Sequence, residues 1–271
     1  MLIRRSVQEN FRGGQMIYFG IPTFQRSEKQ LTLDYLERVG AKREQIIMSV
    51  QTETDYDAYR KYENRVGRLI YRRAANLSGN ANTILDGVPS GKRIIIFDDD
   101  IKTITMLENG KLHDIETQEE FEGMLRFGYS VSEKLNTIGF SVYPVRNDYY
   151  MSNSIHTAHI GEGTMLALTN DGTRFDEHFD TKCDYEMTCR IIKKYGAYPR
   201  LNMYACKAGH YTSGGCDWNW KDKKRVEEDA EVLVALHPEL VRFNPRKRGE
   251  VLMRRVGGKI SVEKKLMKEK T

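Results

Sequence analysis

The sequence predicts an α/β domain built on a mainly parallel sheet flanked by helices, with a basic C-terminal extension. Three observations carry this expectation. Short apolar, β-rich runs alternate with segments of helical periodicity through the first hundred residues, which is the pattern of βαβ units. The strongest of these runs, Arg93-Ile-Ile-Ile-Phe97, is continuously apolar, as a strand covered on both faces must be. Asp98, Asp99 and Asp100 follow it immediately, at the strand end where open α/β sheets bind their ligands.

The elements follow in order. Met16-Ile-Tyr-Phe-Gly-Ile21 reads as the first buried strand, ended by Pro22. Ser27 with Gln30 three residues on forms a capping-box pattern, and the apolar positions Leu31, Leu33, Tyr35, Leu36 and Val39 predict a helix closed by Gly40. Gln45 to Val50 reads as a second strand, Asp55 to Asn64 as a helix, and Arg68 to Tyr71 as extended. Ala74 to Leu85 is a further helix, stopped by Gly87 and Pro89. Beyond Asp100 the pattern changes. Ile101 to Leu107 is extended, and Thr117 with Glu120 opens a helix to about Lys134. Gly139 to Val145 and Thr164 to Thr169 are strand-like. Asp184 to Tyr195 is a helix with Gly196 as its C-cap. Lys223 to Leu236 is the last helix expected. No repeat or linker divides the chain, so residues 1–220 are read as one domain and 221–271 as a basic extension packing on it.

Composition narrows the class. The chain has 271 residues and is 39% hydrophobic and 30% charged, enough apolar material for a sizeable core in a soluble protein. No run approaches the roughly 18 apolar residues of a membrane helix. The polar, Arg-bearing start lacks the apolar stretch of a secretory signal. Four cysteines without close pairing fit reduced thiols and a cytoplasmic setting. The formal charge of +5 is concentrated in the tail, where residues 221–271 hold 15 basic against 9 acidic side chains. Such a segment suits either a phosphate backbone or a solvated face.

The acidic run carries the chemistry. Side chains alternate along an extended chain, so Asp98 and Asp100 are expected on one side and Asp99 on the other. Neighbouring carboxylates repel unless a cation joins them. Mg²⁺ or Mn²⁺ prefers such oxygen ligands and completes its shell with phosphate oxygens and water. The matching co-ligand is a nucleotide diphosphate, whose departure the metal assists. By itself, a triple Asp also suits a phosphatase, nuclease or polymerase. Zinc is disfavoured, because Cys206, His210 and Cys216 include no Cys-x-x-Cys pair.

The surrounding residues resemble one family. Ile21-Pro-Thr-Phe-Gln-Arg26 is similar to the first-strand loop of GT-A-fold nucleotide-sugar glycosyltransferases. Gly79-Asn-Ala-Asn82, sixteen residues before Asp98, resembles their segment upstream of the Asp-x-Asp motif, whose position Asp98 to Asp100 occupy. Phe175-Asp-Glu-His-Phe179 and Cys183-Asp-Tyr-Glu-Met-Thr-Cys-Arg190 resemble the later Phe-Asp-Glu stretch and Glu-Asp helix start, with Cys183 replacing the Glu. The resemblance spans residues 16–215 in order. It implies a GT-A-like, Rossmann-like fold and a UDP-sugar donor. Thr23, Arg26, Gln51 and Asp55 would lie near the nucleotide, Gly79 and Asn82 near the nucleotide-sugar, and Asp98 and Asp99 at the donor. Asp98, Asp100 and the late His210 would hold Mn²⁺ or Mg²⁺. Asp184 would be the general base of an inverting transfer.

The whole pattern looks most like phage-type glycosyltransferases associated with TET/JBP-like dioxygenases. That likeness implies 5-hydroxymethylcytosine in DNA as acceptor, with the other hydroxymethylpyrimidine also in the class. Tyr149, Tyr150 and Trp218 would then stack on an exposed base, as would Tyr143, while Lys223, Lys224 and Arg225 would contact phosphates. The alternatives are a GT-A enzyme acting on a glycan, lipid or protein, a sugar-phosphate nucleotidyltransferase, and a non-enzymatic DNA-binding protein. The second needs a Gly-rich triphosphate loop, which Ile21 to Arg26 is not. The third leaves the acidic run and Asp184 unexplained.

Overall fold

The structure, a computed structural model, describes residues 16–144, 151–209, 222–254 and 256–261. The expected α/β architecture is present. Strand β1 (Ile17–Thr23) pairs in parallel with β2 (Ile46–Val50) on one side and β4 (Arg93–Phe97) on the other, and β2 pairs in parallel with β3 (Arg68–Tyr71). Helices α1 (Leu31–Arg38), α2 (Glu53–Tyr59) and α3 (Leu77–Asp86) make the crossovers. The order β3-β2-β1-β4 reverses between β1 and β4, and the crevice at their C-terminal ends is the switch point that binds ligands in such sheets.

Beyond Asp100, where the sequence pattern changes, several strands pair antiparallel. β5 (Ile101–Glu108) hairpins with β6 (Lys111–Asp114) and pairs antiparallel with β10 (Arg200–Ala208). β9 (Met165–Thr169) runs antiparallel between β4 and β7 (Gly139–Tyr143), and β7 pairs in parallel with β10. β8 (Ser154–His156) and β13 (Lys259–Ser261) extend the far edge, while β11 (Val241–Phe243) and β12 (Val251–Met253) form a separate ribbon. Helices α4 (Gln118–Lys134), α5 (Cys183–Tyr195) and α6 (Lys223–Leu236) complete the layers.

Period-two alternation explains why the central strands read as unbroken apolar runs. In β4, Ile95 and Phe97 enter one core with Phe19, Leu33, Phe121 and Tyr129. Ile94 and Ile96 enter a second core with Ile84, Met187, Leu233 and Val241. Both faces of the sheet are therefore covered, by α1 and α4 on one side and by α3, α5 and α6 on the other. The first part of the basic tail belongs to this second core: Ala230 and Leu233 are fully buried, and Asp229 accepts hydrogen bonds from Thr181.

Local capping signals hold at the start of α4 and the end of α5 and fail at the start of α1. Thr117 and Glu120 form the capping box that opens α4, and Gly196 closes α5 in the left-handed conformation. The Ser27 box does not form. Helix α1 begins at Leu31 after Gln30, whose side chain caps nothing and instead donates to the Arg26 carbonyl at 2.8 Å. The loop that follows β1 captured that amide, so the helix starts three residues later than the pattern implied. The helix expected from Asp55 is a shorter α-helix continued as a 3-10 turn over Arg60–Tyr62.

Gly139 marks the tightest strand contact, since a Cβ there would lie 1.8 Å from the Ala167 carbonyl oxygen. Gly139→Ala is expected to destabilise the fold by about 1–3 kcal/mol or more, because backbone cannot retreat as a side-chain tip can. A lowered urea midpoint at unchanged slope is the confirming result.

Candidate active site

The site begins with the turn Asp98–Asp100 between β4 and β5. Alternation sends the three carboxylates to different places. Asp99 continues the face of Phe97 and Ile95 and meets the end of the parallel neighbour β1. There Thr23 donates to Asp99 Oδ2 at 2.6 Å, and Arg26 Nη1 reaches Asp99 Oδ1 at 2.5 Å. Arg26 also lies 3.5 Å from Asp100 Oδ2. One guanidinium thus serves two buried carboxylates. Burial still raises Asp99 above the usual carboxylate range, against the pull of Arg26 and the Thr23 hydrogen bond.

Asp98 is different. Its side chain continues the face toward α3 and α5, and among the described residues it accepts no hydrogen bond and forms no ion pair. Gly163 is its neighbour: a Cβ on Gly163 would lie 3.5 Å from Asp98 Oδ1 and 3.6 Å from Asp184 Oδ2. The two carboxylate oxygens are therefore within about 7 Å of one another, both beside Gly163. The pairing of β9 with β4 sets this contact, because the Asp98 N–H donates to the Thr164 carbonyl at 3.4 Å. Asp184 is fixed from the other side. Its carboxylate accepts the backbone N–H groups of Gly163 at 2.7 Å and Tyr185 at 2.9 Å.

These surroundings shift the acids upward. Burial and the charges of Asp100, Asp99 and Asp184 push Asp98 up to about 8. Burial pushes Asp184 up to about 6, with backbone hydrogen bonds opposing. Glu162, one residue before Gly163, rises to about 7 through burial and the neighbouring Asp184 charge. Sequence reading passed over Glu162. Only the preceding Gly161 and following Gly163 hinted that the chain approaches something closely there.

The donor set fits a divalent cation of the Mg²⁺ or Mn²⁺ kind. Asp98 is uncommitted, and Asp100 Oδ1 is buried without a hydrogen-bond partner. Among the described residues no three His, Cys, Asp or Glu side chains converge as a ready cage. That arrangement suits an ion which takes one or two carboxylates and fills its shell with phosphate and water. His210 lies outside the described residues, but Gly209 before it donates its N–H to the Asp100 carbonyl at 2.8 Å.

The other predicted residues are placed as follows. Thr23 is buried beneath the acidic turn, between Asp99 and the Tyr59 hydroxyl. Asp55 pins the β1 loop to α2: it accepts from the Gln25 N–H at 3.2 Å and from Thr52 at 2.8 Å. This holds Gln25 at φ 53, a conformation that non-glycine residues adopt at a cost. Gln51 is buried at the mouth of β2. Gly79 and Asn82 face the segment before α5. Asn82 donates to the Phe175 carbonyl and to Glu177 and accepts the Phe175 N–H, so all of its amide is engaged within the protein. Tyr149, Tyr150 and Trp218 lie outside the described residues. Lys223 is exposed and makes no ion pair among the described residues. Lys224 pairs with Glu228 at 3.4 Å, and Arg225 pairs with Asp180.

No protein-family model matches the chain, and no curated protein matches it. Solved structures do. Residues 1–349 of S. aureus TarS match with a TM-score of 0.50 at 11% identity, over 80% of this chain and 65% of that one. The same segment in complex with UDP matches equally. The mannosyltransferase PcManGT of Pyrobaculum calidifontis, in complex with GDP-Man and Mn²⁺, matches with a TM-score of 0.54 at 11% identity, over 81% and 64%. A mycobacterial protein matches with 0.52 at 9% identity, over 91% and 85%. The chain therefore spans just under two thirds of the length of the TarS segment and of the mannosyltransferase. These likenesses show the fold, the mixed α/β architecture of GT-A-type glycosyltransferases, and function must be argued from the site.

The raised Asp98 gives a pH test. A carboxyl ordinarily near 3.8 and lifted to about 8 on folding favours the folded state least when ionised. Its contribution is intact below the unfolded value and is lost as pH rises through the folded one. A bound cation removes that repulsion. The increment in Tm given by Mn²⁺ is therefore expected to be larger at pH 8 than at pH 6, and equal increments at both would contradict this placement.

Proposed function

We propose that the chain is a metal-dependent glycosyltransferase that moves a sugar from a UDP-sugar to the hydroxyl of 5-hydroxymethylcytosine in DNA. The observation that carries the transferase reading is the pair of carboxylates across Gly163. Asp98 is uncommitted at the tip of a buried strand, and Asp184 is held rigidly within about 7 Å of it. Sugar transfer needs both groups at one place: a diphosphate anchored at Asp98 and an acceptor hydroxyl approaching Asp184.

The chain's own groups divide the work. Asp98 and Asp100 would hold Mn²⁺ or Mg²⁺, which supplies positive charge to the departing diphosphate. Arg26 and Thr23 keep Asp99 turned away toward β1. Asp184 takes the proton from the acceptor hydroxyl as its oxygen forms a bond to the anomeric carbon. The bond from that carbon to the phosphate oxygen breaks, and its electron pair leaves with UDP. An acid near 6 is mostly ionised at neutral pH yet basic enough to accept a proton, which is what a general base needs. The two backbone N–H groups hold it in place throughout.

Support for a DNA acceptor comes from the basic C-terminal segment, in which Lys223 is exposed on the first turn of α6. The neighbouring pairs Lys224–Glu228, Arg225–Asp180 and Arg248–Glu227 offset part of that charge within the protein. Phosphate contact on the described surface is therefore expected to be modest. A duplex substrate must present its modified base out of the stack, since the hydroxyl has to reach Asp184 at the strand tips.

The test is mass spectrometry of hydroxymethylated and unmodified duplexes after incubation with mixed nucleotide sugars and Mn²⁺. Hexose addition only to the modified duplex is the expected result. Transfer only to a glycan, lipid or protein acceptor would overturn the DNA assignment while keeping the transferase. Asp184→Asn is expected to lower kcat by about 10²–10⁴-fold without loss of UDP binding. In the unsubstituted protein the rate should rise tenfold per pH unit below about 6 and level above it.

A further inference from the structure

The sheet face that carries Asp98 also carries a buried cation. Ile96, Leu166, Ser141 and Arg200 oppose one another across β4, β9, β7 and β10. Leu201 enters the core of Phe97, so alternation turns Arg200 to the other face, the one that Ile96 and Leu166 share. Asp98 continues that face two residues beyond Ile96. Three strand spacings separate Arg200 from the β4 column, about 14 Å. Residues 159–163 cross this interval, and printed contacts fix them at both ends and in the middle. His159 Nδ1 lies 3.0 Å from Arg200 Nη1. Gly161 donates its N–H to Thr188 of α5 at 3.2 Å, and a Cβ on it would lie 3.3 Å from Ser141 Cβ. Gly163 donates to Asp184 at 2.7 Å. Four residues of chain reach at most about 14 Å, so Arg200 stands one short crossing away from the general base.

Arg200 is 7% exposed and held on several sides. Its Nε donates to Asn202 Oδ1 at 3.1 Å, and Asn202 is fixed in turn by donating to Ser154 Oγ at 2.9 Å. The guanidinium lies 3.9 Å from the centre of the Tyr143 ring, which is therefore its platform. Among the described residues it makes no ion pair, and its Nη2 has no hydrogen-bond partner and is not sealed from solvent. Glu162 influences it only from beyond ion-pair distance. His159 adds no charge of its own, because burial and the Arg200 charge hold it down to about 4. A buried cation without an acid at hand is costly. A guanidinium already fixed through Nε and Nη1 is preorganised for an anion at its remaining edge.

We infer that Arg200 is a phosphate-binding residue of the acceptor site, donating to a backbone phosphate beside the flipped nucleotide while the base of that nucleotide stands at Asp184. This rests on the DNA acceptor proposed above. The donor diphosphate is assigned to Asp98, so an anion at the far end of residues 159–163 belongs to the second substrate. A nucleotide turned out of the stack brings its flanking phosphates with it. Phosphate contacts fix register without reading sequence, so Arg200 sets how far the nucleotide enters and leaves the chemistry to Asp184.

The experiment measures kcat/KM for hydroxymethylcytosine duplexes in which each phosphate next to the modified nucleotide is replaced, one at a time, by a neutral methylphosphonate. It compares the unsubstituted protein with Arg200→Gln and Arg200→Met, using UDP-sugar and Mn²⁺. Methionine serves beside glutamine because an apolar side chain of similar volume can often replace a buried ion without loss of fold. In the unsubstituted protein, one of the replacements is expected to lower kcat/KM at least about tenfold. The variants should lose a similar factor on the all-phosphate duplex, and the same methylphosphonate should then cost less than about threefold more. Their affinity for UDP with Mn²⁺ should be unchanged. No loss from either methylphosphonate in the unsubstituted protein would overturn this inference and leave the DNA acceptor standing. So would a full methylphosphonate effect in a variant, or lost UDP affinity in a variant with a normal unfolding transition. Turnover of no hydroxymethylated duplex by the unsubstituted protein, with UDP binding intact, would overturn the DNA acceptor and this inference together.

Discussion

Three carboxylates leave one buried strand within three residues, and the described fold supplies a guanidinium to only two of them. Arg26 reaches Asp99 and Asp100, while Asp98 stands against Gly163 with no partner among the described residues. Leaving a half-buried charge uncompensated is costly, and proteins avoid it unless the group shifts toward its neutral form or meets a cation. The rest of the site follows from that imbalance. β9 must run antiparallel beside β4 to bring Gly163 to the gap. α5 must begin where its first turn can place Asp184 opposite Asp98. The β1 loop must be held so that Arg26 stays with Asp99.

The same logic separates residues that touch a ligand from residues that shape the place where one binds. The resemblance places Thr23, Arg26 and Asp55 as nucleotide-side residues, but their observed hydrogen bonds go to the loop and the acidic turn. Asn82 is bound on all sides to the segment preceding α5. These contacts fix the distance between the strand tips and the α5 N-terminus. A site that transfers a group between two substrates depends on that distance being constant.

Much of this was legible in the sequence, for physical reasons. The apolar run 93–97 has one reading in a sheet covered on both sides, and alternation beyond it separates Asp99 from Asp98. Gly196 and the Thr117–Glu120 box announced helix ends because they act over a single turn. Other features depended on contacts distant in sequence. The Ser27 box failed because Gln30 found the Arg26 carbonyl. Asn82 found Phe175, ninety-three positions away, which no local pattern predicts. Glu162 comes near Asp184 only because Gly163, the next residue, donates its N–H to that carboxylate from twenty-one positions away. A lone acid between glycines carries no signal by itself.

The most direct measurement is the electron paramagnetic resonance of Mn²⁺ titrated with the protein in the presence and absence of UDP, repeated with Asp98→Asn. The account predicts that free Mn²⁺ signal falls on adding protein, falls much further with UDP, and stays largely free in the variant. Bound Mn²⁺ in Asp98→Asn equal to that of the unsubstituted protein would contradict it.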